Sequence, residues 1–133
     1  MEEKKVALYC RVAHADQTAM ELQSARLQRF AEIKGLAPCV SYLDNGYSGL
    51  SDDRPAFQWM NADIKKGEIG TVVMADISRI SRQYGSVFSW LDYAEQHEVS
   101  VLFANDDSTM ESLAEIRKTA LSLQESFNKK EGA

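Results

Sequence analysis

The chain has 133 residues, 44% of them hydrophobic and 9% aromatic, which is the size and apolar content of one packed domain. Its 15 Lys and Arg stand against 20 Asp and Glu, a formal net charge of −5; a uniformly basic surface is excluded, so any phosphate recognition must rest on where individual arginines fall. The apolar run after Met1-Glu-Glu-Lys-Lys is about five residues long, far below a signal h-region or a membrane span of about 20, and predicts a cytoplasmic protein with no membrane partner.

Val6-Ala-Leu-Tyr-Cys reads as a first strand buried on both faces. A helix follows from about Thr18 to Lys34, striped by Met20, Leu27, Phe30 and Ala31, with Gly35 placed to end it. A second strand, about Cys39 to Leu43, runs into the Gly-rich loop Asp44-Asn-Gly-Tyr-Ser-Gly. Asp53 and Pro55 then supply the expected N-cap and first position of a second helix, striped by Phe57, Met60 and Ile64 and closed by Gly67. Thr71 to Ala75 is a third strand, Tyr84 to Gln96 a third helix carrying Val87, Trp90, Leu91 and Ala94, and Ser100 to Ala104 a fourth strand.

This alternation predicts an α/β fold, a mostly parallel open sheet of about four to five strands with helices on both faces. One domain over residues 1–133 is expected, with no separate DNA-binding domain after it. A turn at Asn105-Asp-Asp-Ser leads to a last helix, about 110–128, whose Leu113, Ile116, Ala120, Leu123 and Phe127 recur at spacings of 3, 4, 3 and 4. That is the seam of a helix lying lengthwise on another helix, either within its own domain or in a second subunit.

Ligands of open parallel sheets bind beyond the C-terminal strand ends. Those ends carry Arg11, then Asp44 to Ser48 with Arg54, then Ser78, Arg79 and Arg82; four arginines at one rim of an acidic protein favour an anion site, with phosphate the natural occupant. The remaining reactive side chains have ordinary readings. Cys10 and Cys39 lack metal or redox spacing and are expected as buried thiols. His14 and His97 read as surface histidines, Asp52-Asp53 and Asp106-Asp107 as turn residues rather than metal ligands, and Trp59 and Trp90 as core or rim packing. Tyr47, on the Gly-rich loop, is the aromatic placed for a nucleic-acid contact.

Three motifs then fall in order: Tyr9-Cys-Arg-Val with Gln17 and Gln23, Asp44-Asn-Gly-Tyr-Ser-Gly with Arg54-Pro-Ala-Phe, and Asp76-Ile-Ser-Arg-Ile-Ser-Arg. Together they resemble the catalytic domain of the serine recombinases, the resolvases, invertases and transposon integrases of mobile elements. The resemblance covers about residues 4–128. It implies DNA as substrate, dimers and higher assemblies built through the last helix, and no metal or other cofactor. A serine attacks the scissile phosphate, and arginines neutralise its oxygens. By position it implies phosphate contacts from Arg11, Arg54, Arg79 and Arg82, with Gln17, Gln23, Ser48 and Ser78 nearby; the loop between Gln17 and Gln23 is one residue longer than in compact resolvases.

The family's nucleophile maps onto Ala13. A methyl group cannot attack phosphorus, and losing a nucleophile in other enzymes costs on the order of a million-fold in kcat, about 8 kcal/mol of barrier. The sequence therefore predicts a nucleophile-deficient recombinase domain, an accessory or degenerate subunit pairing with itself or with an active recombinase. Two alternatives are an active recombinase with a displaced nucleophile such as Ser48, and a flavodoxin-like module for a phosphorylated ligand. The absence of Gly-x-Gly-x-x-Gly after the first strand counts against a dinucleotide version of the latter.

Overall fold

The computed structural model describes residues 3–105. Strands β1 (Lys5–Val12), β2 (Cys39–Asn45), β3 (Ile69–Met74) and β4 (Ser100–Phe103) alternate with helices α1 (Gln17–Lys34), α2 (Pro55–Lys65) and α3 (Tyr84–Gln96), with a short 3-10 turn at Ile77–Arg79. Among the described residues the strands form one parallel sheet in the order β2-β1-β3-β4. The expected architecture is present. The expected last helix and its seam residues lie outside the described residues.

Strand alternation splits the core into two faces. Val6, Leu8 and Cys10 of β1 point to the α1 side and pack with Met20, Leu27 and Ala31. Ala7 and Tyr9 point to the other side, against Phe57, Met60 and Ile64 of α2 and Val87, Trp90, Leu91 and Ala94 of α3. Both helix stripes foreseen from periodicity are buried. α1 starts where Asp16 accepts the Ala19 N–H at 3.0 Å and ends at Gly35, whose φ of 68° is open to glycine at little cost.

Four local expectations are corrected. Strands β1 and β2 run on to Val12 and Asn45, so Asp44 belongs to β2 and is hydrogen-bonded in register beside Arg11. The N-cap of α2 is Arg54, not Asp53; the first-turn amides are satisfied from a distance by Asp44, as described below. Cys39 is exposed while Cys10 is buried, because Cys39 opens the edge strand β2. Trp59 is 68% exposed: at about 100° per residue it sits about 200° round the helix from Phe57 and about 100° from Met60, off the Phe57–Met60–Ile64 stripe. Trp90 packs as expected, its indole donating to Asn61 at 2.8 Å.

Candidate functional site

The odd-numbered face of β1 carries Arg11 next to Tyr9, and the even-numbered face of β2 carries Asp44 next to Tyr42, so alternation and register bring these polar side chains together under α2. Arg11 is fully buried, Asp44 1% exposed and Arg54 3% exposed. Buried charge of this density persists only with dense hydrogen bonding. Asp44 supplies part of it: Oδ2 accepts from the Tyr9 hydroxyl at 2.7 Å and from the Phe57 N–H at 3.0 Å, and Oδ1 from the Ala56 N–H at 2.9 Å. One carboxylate of β2 thus caps α2 and orients Tyr9. Burial first, and then the Asp44 bond, raise the Tyr9 pKa well above the usual phenol range, so the hydroxyl stays a donor.

The arginines bond mostly to neutral carbonyls. Arg11 donates to Tyr47 O at 3.2 Å and Ser78 O at 2.6 Å. Arg54 donates to Arg79 O at 2.9 Å and Ile80 O at 2.6 Å, and Arg79 donates to Arg11 O at 2.8 Å. Arg79 also makes a loose ion pair with Asp76 at 3.7 Å. The Nε atoms of Arg11, Arg54 and Arg79 are buried and make no hydrogen bond. Burial lowers the Arg11 pKa most, and the charges of Arg79, Arg54 and Arg82 add to it. The cluster therefore holds its positive charge at close quarters, in a chain that is acidic overall.

Around this charge the three motif loops are tied together. Gln23 of α1 brackets the Arg11 backbone, accepting its N–H at 3.0 Å and donating to its carbonyl at 3.2 Å. Gly46 and Tyr47 both donate to Val12 O. Gly49 lies so close to the guanidiniums that a Cβ there would stand 2.7 Å from Arg11 Nη2 and 2.9 Å from Arg82 Cγ; its carbonyl accepts from the Arg82 N–H and the Ser81 hydroxyl. Gly49 and Asp44 are the site residues whose roles sequence reasoning missed. The Gly-rich loop was the signal for the first, but no local pattern announces a cap that arrives from another strand.

The other expected residues divide. Ser78 bonds Asp76 through its hydroxyl and Arg11 through its carbonyl. Ala13, just past β1, is half-buried, and Arg82 is exposed. Gln17 is exposed and donates to Glu21, apart from the buried set. Ser48 is exposed and its hydroxyl accepts from the Leu50 N–H, a local turn. Tyr47 is half-buried and serves the site through its carbonyl. Of the four arginines expected at one rim, Arg11 and Arg54 lie inside: Arg11 on β1, and Arg54 at the N-cap of α2 with its guanidinium on the carbonyls of Arg79 and Ile80.

Comparison with known proteins bears on this geometry. The family model described as Resolvase, N terminal domain, matches residues 6–132. A curated Bacillus subtilis (strain 168) protein described as a putative DNA recombinase is 31% identical over 104 residues, 77% of this chain. The chain spans only 21% of that relative's length. The crystal structure of the N-terminal catalytic domain of TP901-1 integrase is similar with a TM-score of 0.79 at 27% identity, covering 98% of this chain and 100% of that one. A resolvase family site-specific recombinase from Streptococcus pneumoniae gives 0.74 at 28% identity, covering 96% and 90% respectively.

Proposed function

This chain belongs to the resolvase N-terminal domain family of serine recombinases, and from that premise we propose that it is a recombinase-type domain that holds a DNA backbone phosphate but has no nucleophile of its own. The observation that carries the reading is the set of buried and half-buried guanidiniums hydrogen-bonded to backbone carbonyls, with the Asp76 carboxylate only loosely paired to Arg79 at 3.7 Å. Carbonyl partners orient a guanidinium without neutralising it, so the field remains available to an incoming phosphodiester. Arg11, Arg54, Arg79 and Arg82 are the phosphate-binding residues in this reading, with Gln23 and Gly49 positioning Arg11, and Ser78, Ser48 and Gln17 at the margins.

Ala13 occupies the place of the attacking serine in the motif. In the reaction the cradle is built for, a seryl Oγ–P bond forms, the P–O3′ bond breaks and the 3′ oxygen leaves with a proton; the arginines stabilise the charge on the non-bridging oxygens. Alanine supplies no oxygen for the first of these events. The proposed role is that of an accessory or degenerate subunit in site-specific recombination in the cytoplasm, a single domain over 1–133 that pairs with an active recombinase or with itself through the seam Leu113, Ile116, Ala120, Leu123 and Phe127.

The test of the phosphate cradle is the unfolding temperature with dimethyl phosphate, a diester monoanion, against chloride at equal ionic strength. A ligand that binds only the folded chain raises the temperature in proportion to RT ln(1 + [L]/Kd). The native chain is expected to gain and the Arg79→Gln and Arg82→Gln variants to gain much less. Equal gains in all three, or none in the native chain, contradict the reading.

A further inference from the structure

Asp76 is an acidic side chain set against a cradle built for an anion. It follows β3 and caps the 77–79 turn, where Oδ1 accepts the Ser78 N–H at 3.0 Å together with the Ser78 hydroxyl. The turn shaped in this way is the one that holds the arginines. Three consecutive carbonyls accept from two guanidiniums there: Ser78 O from Arg11 Nη2 at 2.6 Å, Arg79 O from Arg54 Nη1 at 2.9 Å and Ile80 O from Arg54 Nη2 at 2.6 Å. A neutral asparagine could accept the same two bonds and cap the turn as well. Capping therefore does not account for a full negative charge at this position.

The other carboxylate oxygen supplies the reason. Asp76 Oδ2 stands 3.7 Å from Arg79 Nη2, close enough for charge attraction and beyond hydrogen-bond reach. Arg79 Nη1 is committed to Arg11 O at 2.8 Å, and Nε is buried without a partner. Among the described residues Nη2 makes no hydrogen bond and is the Arg79 donor left for a ligand, with Asp76 beside it. The Arg79 side chain is 24% exposed and that of Asp76 39%, so the pair lies at the solvent boundary, where water weakens it and an incoming anion can compete for Nη2.

We propose that Asp76 is a specificity-determining residue of the cradle: its carboxylate restrains Arg79 and makes the site take a phosphodiester, with one negative charge, in preference to a terminal phosphomonoester, which carries nearly two. This role rests on the phosphate-cradle reading above and adds to it a choice between two kinds of phosphate. The choice follows from Coulomb's law, because repulsion from Asp76 scales with the charge of the ligand and costs a dianion twice what it costs a monoanion. Arg11, Arg54, Arg79 and Arg82 by themselves favour the more highly charged ligand. A fixed carboxylate beside Arg79 takes that preference back, which keeps the cradle for an unbroken strand rather than a phosphorylated strand end.

The experiment compares dimethyl phosphate with methyl phosphate at constant ionic strength and about pH 8, where the monoester is a dianion; affinities come from the ligand-dependent rise in unfolding temperature. The native chain is expected to bind methyl phosphate no more tightly than dimethyl phosphate. Asp76→Asn keeps an oxygen for the Ser78 N–H and hydroxyl while removing the charge. It is expected to tighten dimethyl phosphate binding about three-fold and methyl phosphate binding about ten-fold, close to the square of the first. Asp76→Glu returns the charge and is expected to restore the native ratio of the two affinities. A merely structural role would weaken both ligands alike and leave that ratio unmoved, since a loosened turn releases Arg11 and Arg54. Where dimethyl phosphate stabilises the native chain and not Arg79→Gln, tighter binding of the dianion by the native chain, or an unchanged ratio in Asp76→Asn, overturns the role of Asp76 and leaves the cradle standing. If neither ligand stabilises the native chain, both readings fall.

Discussion

Asp44 shows how much one side chain can carry. Its three acceptances join β1, β2 and the first turn of α2, and a charged acceptor in a buried network contributes about 1.5–3 kcal/mol per bond before the cost of stranded donors is counted. Asp44→Asn, which turns an amide nitrogen toward one of these donors, is expected to lower stability by about 2–4 kcal/mol in urea unfolding; a loss near zero would mean the cap is idle. Gly49 acts by having no side chain. Gly49→Ala forces a methyl to 2.7 Å from Arg11 Nη2, so it is expected to weaken dimethyl phosphate binding several-fold with little loss of stability, since the loop can shift while the core cannot. The sequence motif marked both residues as part of a loop, but not their partners, because Arg is ordinarily a surface residue and nothing local says that Arg11 is enclosed.

The elements were the most legible part of the molecule, since their signals are local. The stripes Phe57–Met60–Ile64 and Val87–Trp90–Leu91–Ala94, and the stops at Gly35 and Gly67, depend on 3.6-residue periodicity and on glycine, which a sequence displays directly. Strand order is not displayed, and so the edge position of β2 and the exposure of Cys39 went unforeseen. Burial of the central strand has a measurable consequence through Cys10. Its thiol pKa is pushed up to about 12 by burial, against the opposing charge of Arg79. The folded state then favours the neutral thiol, and the unfolded chain, with an ordinary thiol pKa of about 8.5, loses its proton first. Stability is therefore full below about pH 8 and declines as pH rises through 9 to 10, by at most about 1.4 kcal/mol per unit from this group. Urea midpoints measured across that interval should fall in the native chain and fall less in Cys10→Ala, even though the variant starts lower from lost packing; parallel slopes would contradict the assignment.

At the scale of the whole molecule, a net charge of −5 coexists with a knot of guanidiniums at one end of the sheet. In the proposed function, charge of opposite sign elsewhere on the chain confines the attraction for DNA to that end, and the domain is expected to bind DNA in general only weakly. The fold explains the convergence: parallel strands deliver Arg11, Arg54, Arg79 and Arg82 from β1, from the link after β2 and from the link after β3 to the same edge. In the proposed function the cradle is complete except for one oxygen. Its most direct measurement is covalent capture: the native chain and Ala13→Ser are incubated with nicked suicide duplexes tiled across the DNA flanking the coding sequence, and products are resolved under denaturing conditions. A protein–DNA adduct is expected with Ala13→Ser on at least one duplex and none with the native chain. An adduct on the native chain, or no adduct with Ala13→Ser on any duplex, would contradict it.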